Sequence, residues 1–113
     1  MMDPAATPAT LNVLIVDDHF VVRSGLVTSL ELDDDIRVVG EAECGEDALR
    51  VFRERRPTVV LMDLQLPGQG GVAATAALRD LDPGARVLIF SNFSRDDEIQ
   101  AALDAGALGY VSK

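Results

Sequence analysis

Acidic residues stand at the ends of two apolar runs in this chain. Asp17 and Asp18 come directly after the run Asn12–Val16, and Asp63 comes directly after Thr58–Met62. If both runs are neighbouring strands of an open parallel sheet, the three carboxylates meet in the crevice at the carboxyl ends of the strands. Anions held this close repel one another, so the cluster raises pKa values or requires a cation. The oxygen ligands predict Mg²⁺ as that cation.

Two more polar residues stand at the ends of predicted strands. Ser91 ends the run Ala85–Phe90, and Lys113 follows the short run Leu108–Val111. A serine or a lysine in such a position carries little information by itself. An acid after a strand often only begins a loop or caps a helix, which is the competing explanation for Asp18. Together, however, the four strand ends predict one polar crevice that combines carboxylates, a hydroxyl and an ammonium group.

The elements that must position these residues alternate between strands and helices. Nearly continuous apolar runs rich in β-branched residues predict strands covered on both faces, and apolar residues spaced by three or four predict helices between them. The predicted strands are 12–16, 36–40, 58–62, 85–90 and 108–111. The predicted helices are 20–32, 45–56, 72–81 and one that Ser94 can cap and Gly106 can end. With right-handed crossovers, this order predicts an α/β fold, a doubly wound five-stranded parallel sheet of flavodoxin-like order 2-1-3-4-5.

Two of the helices carry a predicted inner face. In the first helix we expect Val22, Leu26 and Leu30 to lie on one face, and in the fourth we expect Ile99, Ala102 and Leu103 to point inward.

The composition limits the class of protein. The chain has 113 residues, of which 48% are hydrophobic, and a formal net charge of -9. These values are typical of one soluble domain, which we expect at residues 11–113 behind a disordered leader at residues 1–10. The acidic balance argues against direct nucleic-acid binding by this segment. The chain has no secretory signal and no apolar run of about 20 residues, and its single cysteine, Cys44, fits a reducing compartment. We therefore expect a cytoplasmic domain without a membrane span.

Four segments carry a resemblance to a known family. They are Leu14–His19, Val60–Gly68, Ile89–Asn92 and Ala105–Lys113, with the sequences LIVDDH, VLMDLQLPG, IFSN and AGALGYVSK. The pattern resembles the receiver domain of two-component response regulators over nearly the whole chain, from residue 11 to residue 113. The DDH sequence and the residues around Tyr110 are similar to the NarL-like branch, whose outputs are LuxR-type helix-turn-helix domains.

This resemblance implies a role for each residue at the strand ends. Asp63 would accept a phosphoryl group from the phosphohistidine of a sensor histidine kinase. Mg²⁺ would be bound by Asp18 and Asp63, by Asp17 through water, and by the backbone carbonyl of Gln65. Lys113 and Ser91 would bind phosphoryl oxygens, and Ser91 would form a conformational switch with Tyr110.

The resemblance also implies partners and limits to the chemistry. The chain would be no enzyme beyond taking up its own phosphoryl group and slowly losing it again. It would control an output, namely transcription, and would reach DNA only through a separate output domain. His19 and Cys44 are assigned no chemical role.

Two departures from the family pattern carry expectations of their own. Asn92 stands where the family usually has a small residue, and we expect it to slow the access of water or small phosphodonors to the phosphoryl position. No helix follows the fifth predicted strand, so part of one sheet face lacks its cover. We expect that face to be hidden in a homodimer or by an exchanged element.

Two other functions stay open at the level of sequence. One is a receiver-like module used for dimerisation or binding, with weak or no phosphorylation. The other is a phosphatase of the haloacid-dehalogenase type, which uses an aspartate nucleophile on a similar fold. That class requires a second acid two residues after the nucleophile, whereas His19 follows Asp17 and Gln65 follows Asp63 at that distance.

Overall fold

The computed structural model describes residues 10–68, 70–92 and 95–113, in which strands and helices alternate along the chain. The elements are β1 (Leu11–Val16), α1 (Phe20–Leu30), β2 (Ile36–Ala42), α2 (Gly45–Arg55), β3 (Val59–Met62), α3 (Gly70–Leu81), β4 (Val87–Ser91), α4 (Asp96–Asp104) and β5 (Gly109–Ser112). All strands pair in parallel, in the order β2-β1-β3-β4-β5. The predicted fold class and strand order are confirmed, and β5 is the last element within the described residues.

The three inner strands form the centre of the core. Their buried residues include Leu14, Val16, Val60, Met62 and Ile89, each at most 1% exposed. Burial alternates along β3 and β4, where Val59, Leu61, Leu88 and Phe90 are only half-buried while the residues between them are buried. The sheet is therefore fully covered on one face and only partly covered on the other, as expected from the absence of a helix after the fifth predicted strand.

The helices differ in how well the sequence predicts their inner faces. Helix α2 buries Ala48, Val51 and Phe52, and it ends one residue before Arg56, which takes up a left-handed conformation with φ 47° ahead of the proline. Helix α1 is different, because its one buried residue is Arg23. Its predicted apolar face of Val22, Leu26 and Leu30 is only half-buried.

Helix α4 begins and packs partly as predicted. Its predicted cap, Ser94, lies outside the described residues, as do residues 1–9 of the predicted leader. At the start of the helix, the backbone N–H of Arg95 donates to the carboxylate of Glu98 over 3.0 Å. Ala102 is fully buried as expected, but the prediction that Leu103 points inward was wrong, because it is 37% exposed. Among the described residues, none of the helices is both long and apolar enough to cross a membrane.

Backbone hydrogen bonds extend the sheet beyond the strand ends. The N–H of Asp17 donates to the carbonyl of Ala42 over 3.0 Å, and the N–H of Asp63 donates to the carbonyl of Val16 over 2.9 Å. The N–H of Lys113 likewise donates to a carbonyl of β4, over 3.1 Å. The polar residues after the strands are therefore held in the sheet and do not belong to free loops.

The start of α3 lies unusually close to the backbone after β3. A Cβ atom built on Gly71 would lie 2.2 Å from the carbonyl oxygen of Asp63 and 2.7 Å from the Cα of Leu64. Gly71 also donates its N–H to the carbonyl of Leu64 over 3.0 Å. Only a glycine permits this approach, which fixes α3 against the segment that carries Asp63.

We expect Gly71→Ala to lower the free energy of unfolding by about 1–3 kcal/mol, because the new methyl group has no space beside the rigid backbone. Gly25→Ala is the matched control, since Gly25 lies within α1 and a Cβ there would meet nothing within 4 Å. That control should raise the free energy of unfolding by about 0.5–1 kcal/mol. Urea denaturation measures both values, and equal effects of the two substitutions would contradict the close approach.

Candidate functional site

The strand ends place three carboxylates in one small volume. Asp17 and Asp63 are 1% and 3% exposed, whereas the side chain of Asp18 is 34% exposed. Carboxylate oxygens of all three, together with a ring nitrogen of His19, lie within 4.8 Å of one another. The predicted cluster therefore forms, and it combines two buried acids with one that faces solvent.

Lys113 supplies the positive charge of this cluster. Its ammonium group lies 2.7 Å from Oδ2 of Asp17 and 3.1 Å from Oδ2 of Asp63, and its side chain is only 13% exposed. Burial raises the pKa of Asp17, but hydrogen bonds from Lys113 and from the His19 backbone outweigh this and bring the pKa below its ordinary value of 3.8. Burial lowers the pKa of Lys113, but its hydrogen bonds to both acids prevail and raise that pKa above 10.5.

The other oxygen of Asp63 accepts two hydrogen bonds. The hydroxyl of Ser91 donates to Oδ1 over 3.0 Å, and the backbone N–H of Gln65 donates to the same atom over 3.0 Å. Ser91 is completely buried. Its backbone carbonyl accepts a hydrogen bond of 3.2 Å from the hydroxyl of Tyr110, which is half-buried against the core. Asp63, Ser91 and Tyr110 thus form one continuous chain of contacts from the crevice to the surface of β5.

Two neighbours of Asp17 had no predicted role. The backbone N–H of His19 donates to Oδ1 of Asp17 over 2.8 Å, and its Nδ1 lies 3.2 Å from the same oxygen and 3.1 Å from Oδ1 of Asp18. The guanidinium of Arg23 donates to the backbone carbonyl of Asp17 over 2.6 Å. From the sequence, His19 is a loop residue without a chemical role and Arg23 has no predicted role. The one signal for Arg23 is its place in the first turn of the helix that follows the acidic pair.

The structure brings together most of the residues predicted from the sequence. Asp17, Asp18, Asp63, Ser91 and Lys113 meet in the crevice, and Tyr110 stands directly behind Ser91. The exposed Asn92 lines the open cleft above Asp63, where we expected its influence on access. The backbone carbonyl of Gln65 stays a predicted metal ligand.

This arrangement suits the handling of a charged oxyanion. A carboxylate lies at the floor of a cleft that opens to solvent, with a hydroxyl donor and an ammonium group within hydrogen-bonding distance of it. The neighbouring acidic oxygens suit a hard divalent cation, which binds carboxylates and carbonyls in preference to nitrogen ligands.

Comparison with known proteins identifies the family. A family model described as the response regulator receiver domain matches residues 13–113. The chain belongs to this family. Receiver domains of this kind are part of two-component signalling systems, and the relatives of this one are LuxR-family response regulators.

Individual relatives agree with this assignment. The receiver domain is similar to the response regulator GacA of Pseudomonas aeruginosa, with 42% identity over 103 residues that cover 91% of this chain and 48% of GacA. It is also similar to the crystal structure of a LuxR-family response regulator from Aurantimonas sp. SI85-9A1, with a TM-score of 0.88, 42% identity, and coverage of 92% of this chain and 74% of that one. The chain spans about half the length of the curated relatives it matches.

A third similar structure is the isolated receiver domain of RcsB from Salmonella enterica serovar Typhimurium, solved in the presence of the phosphomimetic BeF3⁻. Its TM-score is 0.83 at 27% identity, with coverage of 92% of this chain and 78% of that one.

The ion pairs of Lys113 should make the stability depend on pH in a defined way. The pKa of Asp17 is lowered in the folded state. Its contribution to the free energy of unfolding is therefore present above pH 3.8 and is lost as the pH falls through the folded-state pKa. The pKa of Lys113 is raised in the folded state. Its contribution to the free energy of unfolding is therefore complete below pH 10.5 and is lost as the pH rises through the folded-state pKa. We therefore expect Lys113→Met to cost about 3 kcal/mol at neutral pH and progressively less at both extremes.

Urea denaturation of wild type and variant between pH 3 and pH 11 measures this difference. Arg50→Met is the control, because the ion pairs of Arg50 with Asp47 and Glu54 are exposed and contribute about 0–1 kcal/mol. Lys113 is the only lysine of the chain, so its labelled side chain gives a single NMR signal from which its pKa is read directly. A cost of Lys113→Met that does not vary with pH would contradict the proposed origin of the stability.

Proposed function

We propose that this receiver domain accepts a phosphoryl group on Asp63 from the phosphohistidine of a sensor histidine kinase, in a reaction that requires Mg²⁺. We further propose that phosphorylation changes the conformation around Ser91 and Tyr110 and thereby controls an output, which is transcription. The observation that carries this proposal is the environment of Asp63. Its buried carboxylate touches Ser91 and Lys113 and adjoins two further acids at the floor of an open cleft.

Asp63 has the properties of a nucleophile toward phosphorus. A carboxylate oxygen attacks the phosphorus atom, and the new oxygen–phosphorus bond forms while the phosphorus–nitrogen bond to the donor histidine breaks. The imidazole leaves with the electron pair of that bond. Hydrolysis later breaks the phosphorus–oxygen bond by attack of water and restores the carboxylate. Aspartate forms acyl phosphates of this kind in other proteins as well.

The residues present fit a bound Mg²⁺ ion. Asp17, Asp18 and Asp63 offer oxygen ligands within one small volume, and the acidic charge exceeds what the single ammonium of Lys113 neutralises. We propose that Asp18 and Asp63 bind the ion directly, Asp17 through water, and Gln65 through its backbone carbonyl. When bound, the ion lowers the electrostatic repulsion between an incoming phosphoryl group and the carboxylates.

Lys113 then has two successive partners. Before transfer, its ammonium bridges Asp17 and Asp63 and keeps two buried carboxylates compatible with the fold. After transfer, we propose that the ammonium moves to a phosphoryl oxygen, which lies farther out along the cleft. The contacts before and after transfer are both charge-assisted hydrogen bonds, so the ammonium group exchanges one anionic partner for another.

Ser91 and Tyr110 connect this chemistry to the surface. The hydroxyl of Ser91 donates to the carboxylate of Asp63, so phosphorylation changes the acceptor available to it. The hydroxyl of Tyr110 donates to the backbone carbonyl of Ser91. Any movement of Ser91 toward a phosphoryl oxygen therefore changes the hydrogen bond that holds the tyrosine side chain. A local change of charge that biases two packings of one aromatic side chain is a common form of molecular switch.

We propose a cytoplasmic protein that takes up one phosphoryl group per chain and does not turn over substrate as an enzyme. DNA would be bound by an output domain outside this segment, because this chain is acidic. The presence of BeF3⁻ in the similar RcsB structure supports phosphorylation as the chemistry of this site. A homodimer or an exchanged element stays a prediction.

Incubation with acetyl phosphate and Mg²⁺ should add one phosphoryl mass per chain, detected by intact-protein mass spectrometry. Asp63→Ala should abolish this uptake, whereas Asp80→Asn, at an exposed position of α3, should leave it unchanged. No uptake by folded wild type at saturating donor would contradict the proposal and favour a receiver-like binding module. Turnover of many equivalents of a phosphomonoester would instead favour a phosphatase.

Metal binding should appear in the stability of the protein. Mg²⁺ at one hundred times its dissociation constant should stabilise wild type by about 2.7 kcal/mol relative to NaCl of equal ionic strength. Asp18→Asn should lose most of this effect, yet in EDTA it should be more stable than wild type by about 1 kcal/mol, because it relieves repulsion between the acids. Thermal denaturation with and without Mg²⁺ measures both, and a variant that keeps the full metal effect would rule out Asp18 as a ligand.

A further inference from the structure

We infer that Arg23 is a positioning residue of the acidic site, which fixes the backbone between Asp17 and Asp18 so that their carboxylates converge on the metal. The inference rests on the proposed function, because it concerns the same metal site. Arg23 lies in the first turn of α1 and is not among the described residues that line the cleft over Asp63. Its action is therefore indirect, through the peptide that joins the two acids.

The burial of Arg23 is the first reason for this inference. Its side chain is only 9% exposed, and it is the one buried residue of α1. Arginine is almost never buried without partners, because removing its charge from water is costly. A buried guanidinium at this position therefore needs partners in the fold or in the site that offset its loss of hydration.

Arg23 has three acceptors within reach of its guanidinium group. Its Nη1 donates to the backbone carbonyl of Asp17 over 2.6 Å. Its Nε donates to Oε1 of Glu41 over 3.2 Å, and its Nη1 lies 3.6 Å from Oε1 of Glu43. The planar fork of an arginine can hold such partners in fixed directions, which a lysine cannot do.

These contacts join the acidic pair to β2 by two routes. The N–H of Asp17 donates directly to the carbonyl of Ala42 at the end of β2. Glu41 and Glu43 flank that residue, so Arg23 anchors the carbonyl of Asp17 to the same strand end. Because a peptide group is planar, holding this carbonyl also fixes the N–H of Asp18 and the direction in which its Cα leaves. Arg23 thus sets the position of the more exposed of the two carboxylates.

The position of Arg23 in α1 allows its side chain to reach the backbone of Asp17. Side chains on a helix lean toward its N-terminus, so Arg23 in the first turn of α1 points back over the loop that precedes the helix. The guanidinium carbon lies over the ring of Phe20, 5.9 Å from its centroid, and Phe20 itself is 70% exposed. The phenyl ring at this position thereby contributes to keeping the arginine in place.

The test measures the affinity for Mn²⁺, which replaces Mg²⁺ as a probe visible by electron paramagnetic resonance. Arg23→Met should raise the dissociation constant about tenfold, which is the usual effect of losing a residue that orients a metal ligand. Arg50→Met removes the same atoms and charge from an exposed position of α2 and should leave the constant unchanged. All measurements are made well below the melting temperature, with folding checked by circular dichroism.

A second pair of substitutions covers the case in which Arg23→Met does not fold. Glu41 and Glu43 have side chains that are 46% and 66% exposed, so Glu41→Gln combined with Glu43→Gln should preserve the fold while loosening the arginine. This double variant should also weaken Mn²⁺ binding severalfold. Its bound Mn²⁺ spectrum should be broader than that of wild type, because the ligand geometry becomes less uniform.

Each outcome separates the inference from the proposed function. If wild type binds no Mn²⁺, both the proposed metal site and the role of Arg23 fail. If wild type binds and the Arg23 and glutamate variants bind equally well, only the positioning role is overturned. A lowered melting temperature with an unchanged dissociation constant would show that Arg23 merely stabilises the fold, and it would overturn the inference.

Discussion

Two carboxylates buried within reach of a single ammonium group are the constraint on which this receiver domain depends. Asp17 and Asp63 are almost inaccessible to water, and Lys113 bridges them. Without that bridge, two anions would stand side by side in a medium that screens charge poorly. The fold must therefore bring three distant strand ends to one place. Any change in the charge of one of these side chains changes the electrostatic energy of the other two.

The parallel sheet meets this demand because its topology delivers every strand end to one edge. β1 and β3 are neighbours, so Asp17 and Asp63 emerge side by side, and β4 adds Ser91 next to them. Lys113 leaves the edge strand β5 and reaches past β4 to the acids. Close approaches such as that of Gly71 to the backbone of Asp63 remove the remaining freedom. The site is thus rigid where it holds charges and open where Asp18 and Asn92 face solvent.

The parts of this structure that the sequence predicts are those with a strong and simple physical cause. Continuous apolar runs predict the strands, and the acids that follow two of them predict the crevice, because neighbouring parallel strands end at the same edge of the sheet. Arg23 escaped prediction, since an arginine in a helix normally lies in solvent and only tertiary contacts with Asp17 and Glu41 show that it is buried. Leu103 was placed inside by its helical spacing, yet the small surface of α4 that packs on the sheet covers only Ala102 fully.

The sequence separation within the site has a consequence for synthesis of the protein. Lys113 and Asp17 are 96 residues apart, and Ser91 and Asp63 are 28 residues apart. A nascent chain emerges with its N-terminus first, so β1 and β3 can pair while their acids still lack the ammonium group. Docking of β5 then brings the ammonium group to the two buried acids and completes the site in one event. A fragment that lacks this strand therefore lacks both the ammonium group and the complete site.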